Sequence, residues 1–199
     1  SASGGVMIVA LLLTMLCCIV LGMGVPTTAT YCIMAATCAP ILMSPEIGVE
    51  MLAAHFFVFY FGIVADITPP VALAAYAGAA IAKAGPMKTA FNASRLAIAA
   101  FIVPYIIAMN PAMLFINTTI PEVVMITISS IIGIFGVAAG LSGFVFRNMK
   151  WWERILCIVG GLTLLVPGSL TDLIGLVLVG AVCVLGYQAA KKEKEMLAA

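Results

Sequence analysis

Two segments of the chain combine helix-breaking residues with oxygen-bearing side chains inside otherwise apolar sequence. The first is Gly22-Met23-Gly24-Val25-Pro26-Thr27-Thr28, and the second is Asp66-Ile67-Thr68-Pro69-Pro70. Glycine and proline interrupt helices, so the backbone there presents carbonyl oxygens that no helical N–H binds. Together with threonine hydroxyls, such carbonyls are hard oxygen ligands that suit a small cation such as Na⁺.

The composition places these breaks in a membrane. Of the 199 residues 64% are apolar and only 9% are charged, and the mean hydropathy is +1.25. A soluble domain carries about 25% charged residues, and no water-soluble globule of this size could bury so much apolar surface. A soluble enzyme, a nucleic-acid-binding protein and a disordered segment are therefore excluded. We predict an all-α integral membrane protein whose few polar residues carry most of the functional information.

The other reactive residues indicate packing rather than catalysis. The six cysteines lie in apolar runs without a CxxC pair, and none has a histidine at metal-binding spacing. The only histidine, His55, lies in an aromatic run, where a hydrogen-bonded packing role is favoured over a proton relay. No metalloprotease, serine-hydrolase or phosphate-loop motif is present. We expect no catalytic residues and no cofactor besides a coupling ion.

The apolar runs beside the two breaks are too short to cross a membrane alone, because a spanning helix needs about 20 residues. They cover residues 6–21 and 29–43 around the first break, and 51–65 and 71–82 around the second. The later runs are longer or simpler, and they cover residues 95–109, 123–146, 155–166 and 173–189. We predict a turn at Pro167-Gly168-Ser169 and a solvated tail from Lys191.

The basic residues set the predicted orientation. All nine Lys and Arg fall within 83–95, 147–154 and 191–194, and the loops between hold acidic residues. If the basic loops are cytoplasmic, residues 51–83 must cross the membrane. The first pair of half-helices is then most simply a re-entrant hairpin that enters and leaves on the external face. Trp151 and Trp152, beside basic residues, form an interfacial anchor.

The chain therefore divides into four predicted parts. Residues 1–43 form the re-entrant helical hairpin, and residues 44–84 the discontinuous transmembrane helix. Residues 85–115 form a further transmembrane helix, and residues 116–199 the C-terminal transmembrane helices and cytoplasmic tail. In the last part, Gly136 and Gly140 have the spacing typical of close helix packing.

The residues around both breaks closely resemble the large permease of tripartite ATP-independent periplasmic (TRAP) transporters. The segments that carry the resemblance are residues 22–29 (GMGVPTTA), 59–62 (FYFG), 67–76 (ITPPVALAAY), 95–96 (RL), 102–105 (IVPY) and 110–112 (NPA). The chain is most similar to the fused-permease type that pairs with TAXI-class solute-binding proteins. The resemblance covers residues 1–115 strongly and 121–190 more loosely.

The resemblance implies an elevator-type secondary transporter in the bacterial or archaeal inner membrane. Such a transporter takes an organic anion from a periplasmic solute-binding protein and imports it by Na⁺ symport. It contains two inverted repeats, and this chain looks like the second repeat followed by C-terminal helices. We expect its partners to be a TAXI-type binding protein, the half that contains the first repeat, a small membrane subunit or domain, and the bilayer.

The resemblance also implies a Na⁺ site between the hairpin tip and the second break. The residues carried over by motif are Gly22, Gly24, Thr27, Thr28 and Thr68. Asp66 is added because it is the only acidic residue placed at membrane depth, where its charge demands compensation. The half-helices that follow the breaks direct positive dipole ends at an anion, and the expected substrate-binding residues are Pro26, Thr28, Pro69 and Pro70.

Several alternatives stay open at this stage. Each break is, in the simplest interpretation, a kink with satisfied carbonyls, but two adjacent breaks that both contain threonine favour a binding site. The alternative function is a truncated, non-transporting membrane scaffold that acts through helix packing. The solute is not readable from the sequence, and protons in place of Na⁺ would be compatible with it. We expect the chain to be a fragment or a split gene product.

The orientation leads to a first prediction. Cysteines introduced at positions 47 and 118, in a background without the native cysteines, should react with an impermeant reagent from outside. Those at positions 86, 149 and 193 should react only after permeabilisation, because they lie in the basic loops or the tail. External labelling at position 86 would contradict the discontinuous crossing of residues 51–83.

Overall fold

The structure is a computed structural model that describes residues 3–116, 118–166 and 168–198. Within these residues every regular element is helical, apart from one isolated bridge between Phe144 and Asn148. The helices are α1 (Ser3–Gly22), α2 (Thr27–Thr37), α3 (Ala39–Leu42), α4 (Met51–Val64), α5 (Leu73–Ile81), α6 (Pro86–Leu96), α7 (Ile98–Met109), α8 (Ile120–Ser142), α9 (Trp151–Thr163) and α10 (Ser169–Ala198). Two 3-10 helices cover Ala65–Ile67 and Pro111–Leu114. The predicted all-α membrane class is confirmed.

The chain divides into two compact units, Ser1–Ile116 and Asn117–Ala199. The first unit contains both predicted helix breaks, and the second contains the three C-terminal helices α8, α9 and α10. The helices of each unit pack in a different way.

The first unit is built around α4, which packs against α1, α2 and α7. Phe57 and Phe61 of α4 are fully buried, and the ring of Tyr105 of α7 lies 5.2 and 5.8 Å from theirs in edge-to-face geometry. Such aromatic pairs stabilise packing beyond the apolar area that they bury. The Tyr105 hydroxyl also reaches the Met15 sulfur at 3.2 Å, which ties α7 to α1.

The first two helices form an antiparallel hairpin around the break at residues 23–26. Near the tip, Gly22 of α1 lies against the methyl group of Thr30 of α2, and further away the Cys18 and Cys38 side chains lie side by side. The chain then enters α4 at Glu50, whose carboxylate accepts the backbone N–H groups of Leu52 and Ala53 at 2.7 and 3.2 Å. A carboxylate at this position satisfies backbone donors that a helix start leaves open.

The predicted transmembrane helix within residues 85–115 is divided into two helices. The structure has two helices here, α6 from Pro86 and α7 from Ile98, with a bend of 41° between them. Pro86 occupies the first turn of α6, where its missing N–H costs nothing. The basic segment is therefore partly helical instead of a loop, and Pro104 is accommodated inside α7.

Two of the described helical segments are long and apolar enough to cross a membrane, namely Ile120–Ser142 and Leu170–Ala189. The bent pair α6–α7 makes a third if it is counted as one span. The apolar segments Met7–Gly22 and Met51–Ile67 are shorter, as the sequence predicts for half-helices beside breaks.

Glycines allow α8 and α9 to pack closely in the second unit. A methyl group added at Gly136 would lie 3.1 Å from the Cys157 carbonyl oxygen, and one added at Gly140 would lie 2.7 Å from that of Arg154. Gly161 of α9 faces the Gly133 carbonyl of α8 in the same way. The predicted packing role of Gly136 and Gly140 is confirmed.

The boundaries of the second unit differ from the prediction in two places. Helix α8 ends at Ser142 rather than near 146, because Gly143 adopts a left-handed conformation with φ of 73° and ends the helix. Helix α10 continues through the predicted tail to Ala198. Of the predicted turn, Pro167 lies outside the described residues. The Trp151 and Trp152 side chains are exposed, as an interfacial anchor requires.

A buried ion pair holds the start of α9. The Glu153 carboxylate, only 3% exposed, contacts the Arg147 guanidinium at 2.5 Å and accepts the Lys150 backbone N–H at 2.8 Å. Arg154 donates to the last carbonyls of α8, at Gly140 and Leu141. These bonds satisfy backbone groups at the end of α8 and the start of α9 that the helices leave open.

The pair leads to a second prediction. Glu153→Gln keeps an acceptor for the Lys150 N–H but removes the charge that compensates Arg147. We expect the free energy of unfolding to fall by about 2 kcal/mol, measured as a lower thermal unfolding temperature in detergent. The matched control is Glu195→Gln, because the Glu195–Lys191 pair is 4.0 Å long and exposed and such pairs contribute little. Equal effects of the two variants would contradict a stabilising role for the buried pair.

Candidate cation site between two helix breaks

The first break releases a carbonyl at the end of α1. Pro26 has no N–H to donate to the Gly22 carbonyl four residues earlier, and the Val25 N–H reaches that oxygen only at 3.5 Å. Gly24 takes a left-handed conformation with φ of 75°, which lets the chain reverse. The helix therefore ends with a weakly engaged carbonyl oxygen at Gly22.

A buried hydroxyl organises the other side of this break. Thr30, in the first turn of α2, is 1% exposed, and its hydroxyl donates to the Val25 carbonyl at 3.2 Å. Its backbone N–H donates to the Pro26 carbonyl at 3.0 Å. The segment between α1 and α2 is thus held by hydrogen bonds from α2.

At the second break a proline also removes a helical hydrogen-bond donor, and the backbone is more irregular than at the first. Helix α4 ends at Val64, a 3-10 turn follows, and the Pro69–Pro70 peptide bond is cis. Because Pro70 lacks an N–H, the carbonyl of Asp66 loses its helical donor. Ala72 adopts a left-handed conformation with φ of 34° immediately before α5 begins.

Side chains satisfy several of the remaining carbonyls. The Thr68 hydroxyl donates to the Val64 carbonyl at 2.7 Å, and the Ser94 hydroxyl of α6 donates to the Ile67 carbonyl at 2.9 Å. The Tyr76 hydroxyl donates to the Pro70 carbonyl. Three side chains therefore donate hydrogen bonds to the backbone of the second break. Irregular backbone within a membrane requires such hydrogen-bond partners.

The two breaks meet at the end of α1. A methyl group added at Gly22 would lie 2.9 Å from the Ala65 Cβ atom and 3.0 Å from the Gly62 carbonyl oxygen. Small residues on both helices make this approach possible. The structure thus brings the end of the first half-helix against the end of the second.

This arrangement concentrates negative charge. Helix C-termini carry partial negative charge, and those of α1 and α4 meet at Gly22 and Ala65. The half-buried residue Asp66 follows Ala65 in the chain. The Ser94 bond also brings the last turn of α6 to the second break. The next residue is Arg95, which is exposed. The two helix ends and Asp66 are the groups there that would attract a cation.

The residues predicted for the site are only partly brought together. Gly22 is buried against the second break, and Asp66, Thr68 and Pro69 are half-buried there. The remaining candidates have exposed positions, at Gly24, Pro26, Thr27, Thr28 and Pro70. The sequence analysis did not assign the site residues Gly62, Ala65, Thr30 and Ser94. Only Thr30 had a recognisable signal, a threonine one turn after a proline break.

The only histidine, His55, has a packing role. The Tyr31 hydroxyl and His55 Nδ1 lie 3.1 Å apart, which connects α2 to α4 by the kind of bond expected of a packed histidine. Among the described residues, no three His, Cys, Asp or Glu side chains are grouped so that they could hold a metal ion. A site at the breaks would therefore depend on carbonyls, hydroxyls and one carboxylate.

A family model described as "Tripartite ATP-independent periplasmic transporter, DctM component" matches residues 1–123. The chain belongs to this family. The resemblance found from the two breaks is thereby confirmed, and the TRAP permease family is a family of transporters, not of enzymes. A second model, "Domain of unknown function (DUF3394)", matches residues 123–180. No curated protein and no solved structure matches the chain.

The close contact at Gly22 leads to a third prediction. Gly22→Ala places a methyl group against the Ala65 side chain and the Gly62 backbone, so the hairpin tip must move away from α4. We expect a loss of about 1–3 kcal/mol in unfolding free energy, measured by thermal unfolding in detergent. The control is Gly78→Ala in α5, where nothing lies within 4 Å of the added methyl and alanine favours the helix. A Gly22→Ala variant as stable as the Gly78→Ala variant would contradict the contact.

Proposed function

We propose that this TRAP permease chain takes part in Na⁺-coupled import of an organic anion. The observation that carries the proposal is the contact between the C-terminal ends of α1 and α4, at Gly22 and Ala65, one residue before Asp66. Two partial negative charges and a carboxylate make a site for a small cation, and carbonyl and hydroxyl oxygens are its natural ligands.

In this proposal Na⁺ binds between the two breaks. The weakly engaged carbonyls of Gly22 and Asp66 are the best-placed backbone ligands, since prolines remove the helical donors of both. Thr68 can add its hydroxyl oxygen, which still has lone pairs after donating to Val64. Gly24, Thr27 and Thr28 complete the proposed set from the hairpin side.

The anionic solute would bind on the opposite side of the same breaks. Helices α2 and α5 begin there, so their positive dipole ends support a carboxylate. Pro26, Thr28, Pro69 and Pro70 are the proposed contacts, and three of these four are exposed at the breaks. A cation and an anion bound at adjacent helix ends would stabilise each other, which is the physical basis of symport.

The proposal includes partners outside this chain. A solute-binding protein of the TAXI type would deliver the solute at the periplasmic face of the inner membrane. A first repeat, related to residues 1–115 by inverted topology, and a small membrane subunit would complete the cleft, because midplane sites of this kind form between two repeats. The moving part would be the hairpin with the discontinuous helix, as in an elevator mechanism.

The fourth prediction tests the role of Asp66. In the complete transporter, Asp66→Asn should raise the Na⁺ concentration for half-maximal uptake well beyond any change in solute affinity at saturating Na⁺. The reason is that the variant removes charge from the cation site and keeps the side-chain shape. The assay is uptake of a radiolabelled carboxylate into proteoliposomes over a series of Na⁺ concentrations.

The control is Asp172→Asn, which changes the same side chain in the first turn of α10, and it should leave the Na⁺ dependence unaltered. If the Na⁺ dependence of Asp66→Asn is unchanged, Asp66 does not contribute to ion binding. Its charge would then be compensated by Arg95, and the ion would be bound by the threonine oxygens. Uptake that is driven by a proton gradient in the absence of Na⁺ would contradict the proposal that Na⁺ is the coupling ion. A complete transporter without any uptake would favour the scaffold function.

A further inference from the structure

Thr30 lies where three structural elements meet, although it is not among the proposed ion ligands. It belongs to the first turn of α2, and its hydroxyl donates to the Val25 carbonyl inside the first break. Its methyl carbon would lie 3.4 Å from a methyl group added at Gly22 and 3.1 Å from one added at Gly62. One side chain therefore contacts the end of α1, the first break and α4.

The hydroxyl of Thr30 restrains the residues that follow Gly22. Val25 is fixed at its carbonyl by Thr30, and its N–H is directed at the Gly22 carbonyl. If the hydroxyl bond is lost, the partly buried Val25 carbonyl loses its donor, and the segment 23–26 can rotate. The Val25 N–H would then no longer be held toward the Gly22 carbonyl, which is one of the proposed ligands.

We propose that Thr30 is a positioning residue that sets the Na⁺ affinity of the site through the Val25 carbonyl. This inference rests on the proposed Na⁺ site. The role proposed for Thr30 is positioning rather than coordination, since its side chain is 1% exposed and its hydroxyl bond holds the Val25 carbonyl of the first break. Its methyl group fills space against Gly62, and its hydroxyl holds the break in the geometry that binds the ion.

The test separates the hydroxyl from the methyl group. Thr30→Val keeps the shape and removes the bond, whereas Thr30→Ser keeps the bond and removes the methyl. In the complete transporter we expect Thr30→Val to raise the half-saturating Na⁺ concentration about three- to tenfold, the ratio that one net hydrogen bond corresponds to. Thr30→Ser should stay within about twofold of the unaltered protein. Solute affinity at saturating Na⁺ should be the same in both.

A second readout needs no solute or binding protein. Na⁺ that binds the folded permease raises its unfolding temperature relative to choline, and the midpoint of that rise should shift with the same factor in Thr30→Val. Thr30→Ser and Thr30→Ala, which differ only in the hydroxyl, repeat the comparison if the valine variant folds poorly.

The matched control is Thr37→Val, on the same helix. The Thr37 hydroxyl also donates to a backbone carbonyl, that of Ile33 at 2.8 Å, but it is exposed and lies away from the break. Thr37→Val should leave the Na⁺ dependence unchanged. Equal shifts in Thr30→Val and Thr30→Ser, or no shift in Thr30→Val, would overturn the inference. An unaltered protein without Na⁺ dependence would overturn the proposed function instead.

Discussion

The close approach of the α1 and α4 ends is the constraint on which the first unit depends. Gly22, Gly62 and Ala65 are small, so the two helices can bring their C-terminal ends together. Helix ends of the same polarity repel, and the membrane interior offers little water to screen them. Positive charge offsets this repulsion, whether it comes from Arg95, which follows Ser94 in the chain, or from the proposed Na⁺.

Supporting side chains keep the irregular backbone from collapsing into a continuous helix. Thr30 holds the first break, and Ser94 and Tyr76 hold carbonyls of the second. Behind them, the aromatic contacts of Tyr105 fix α4 as the central helix. Because each of these contacts comes from a different helix, the two breaks keep their geometry only when the whole unit is folded.

Local sequence signals predicted the breaks and missed what holds them. Proline and glycine disrupt a helix wherever it packs, so both breaks could be read without the structure. The contact of Gly22 with Ala65 joins residues that are 43 positions apart in the sequence, and no local pattern encodes such a pairing. The single helix predicted within residues 85–115 is two helices in the structure, α6 and α7, although Pro86 itself is a helix-start signal.

The two breaks differ in a way that assigns them different tasks. The first break has no ionisable side chain, and it would offer an ion backbone carbonyls in the geometry that Thr30 holds. The second contains Asp66 and two consecutive prolines, which limit backbone motion and hold the charge in place. A cation between them would meet a charged side chain on one side and positioned backbone carbonyls on the other. If the hairpin tip closed around the ion, ion binding would change the conformation of the hairpin. A symporter needs such coupling between ion binding and conformation.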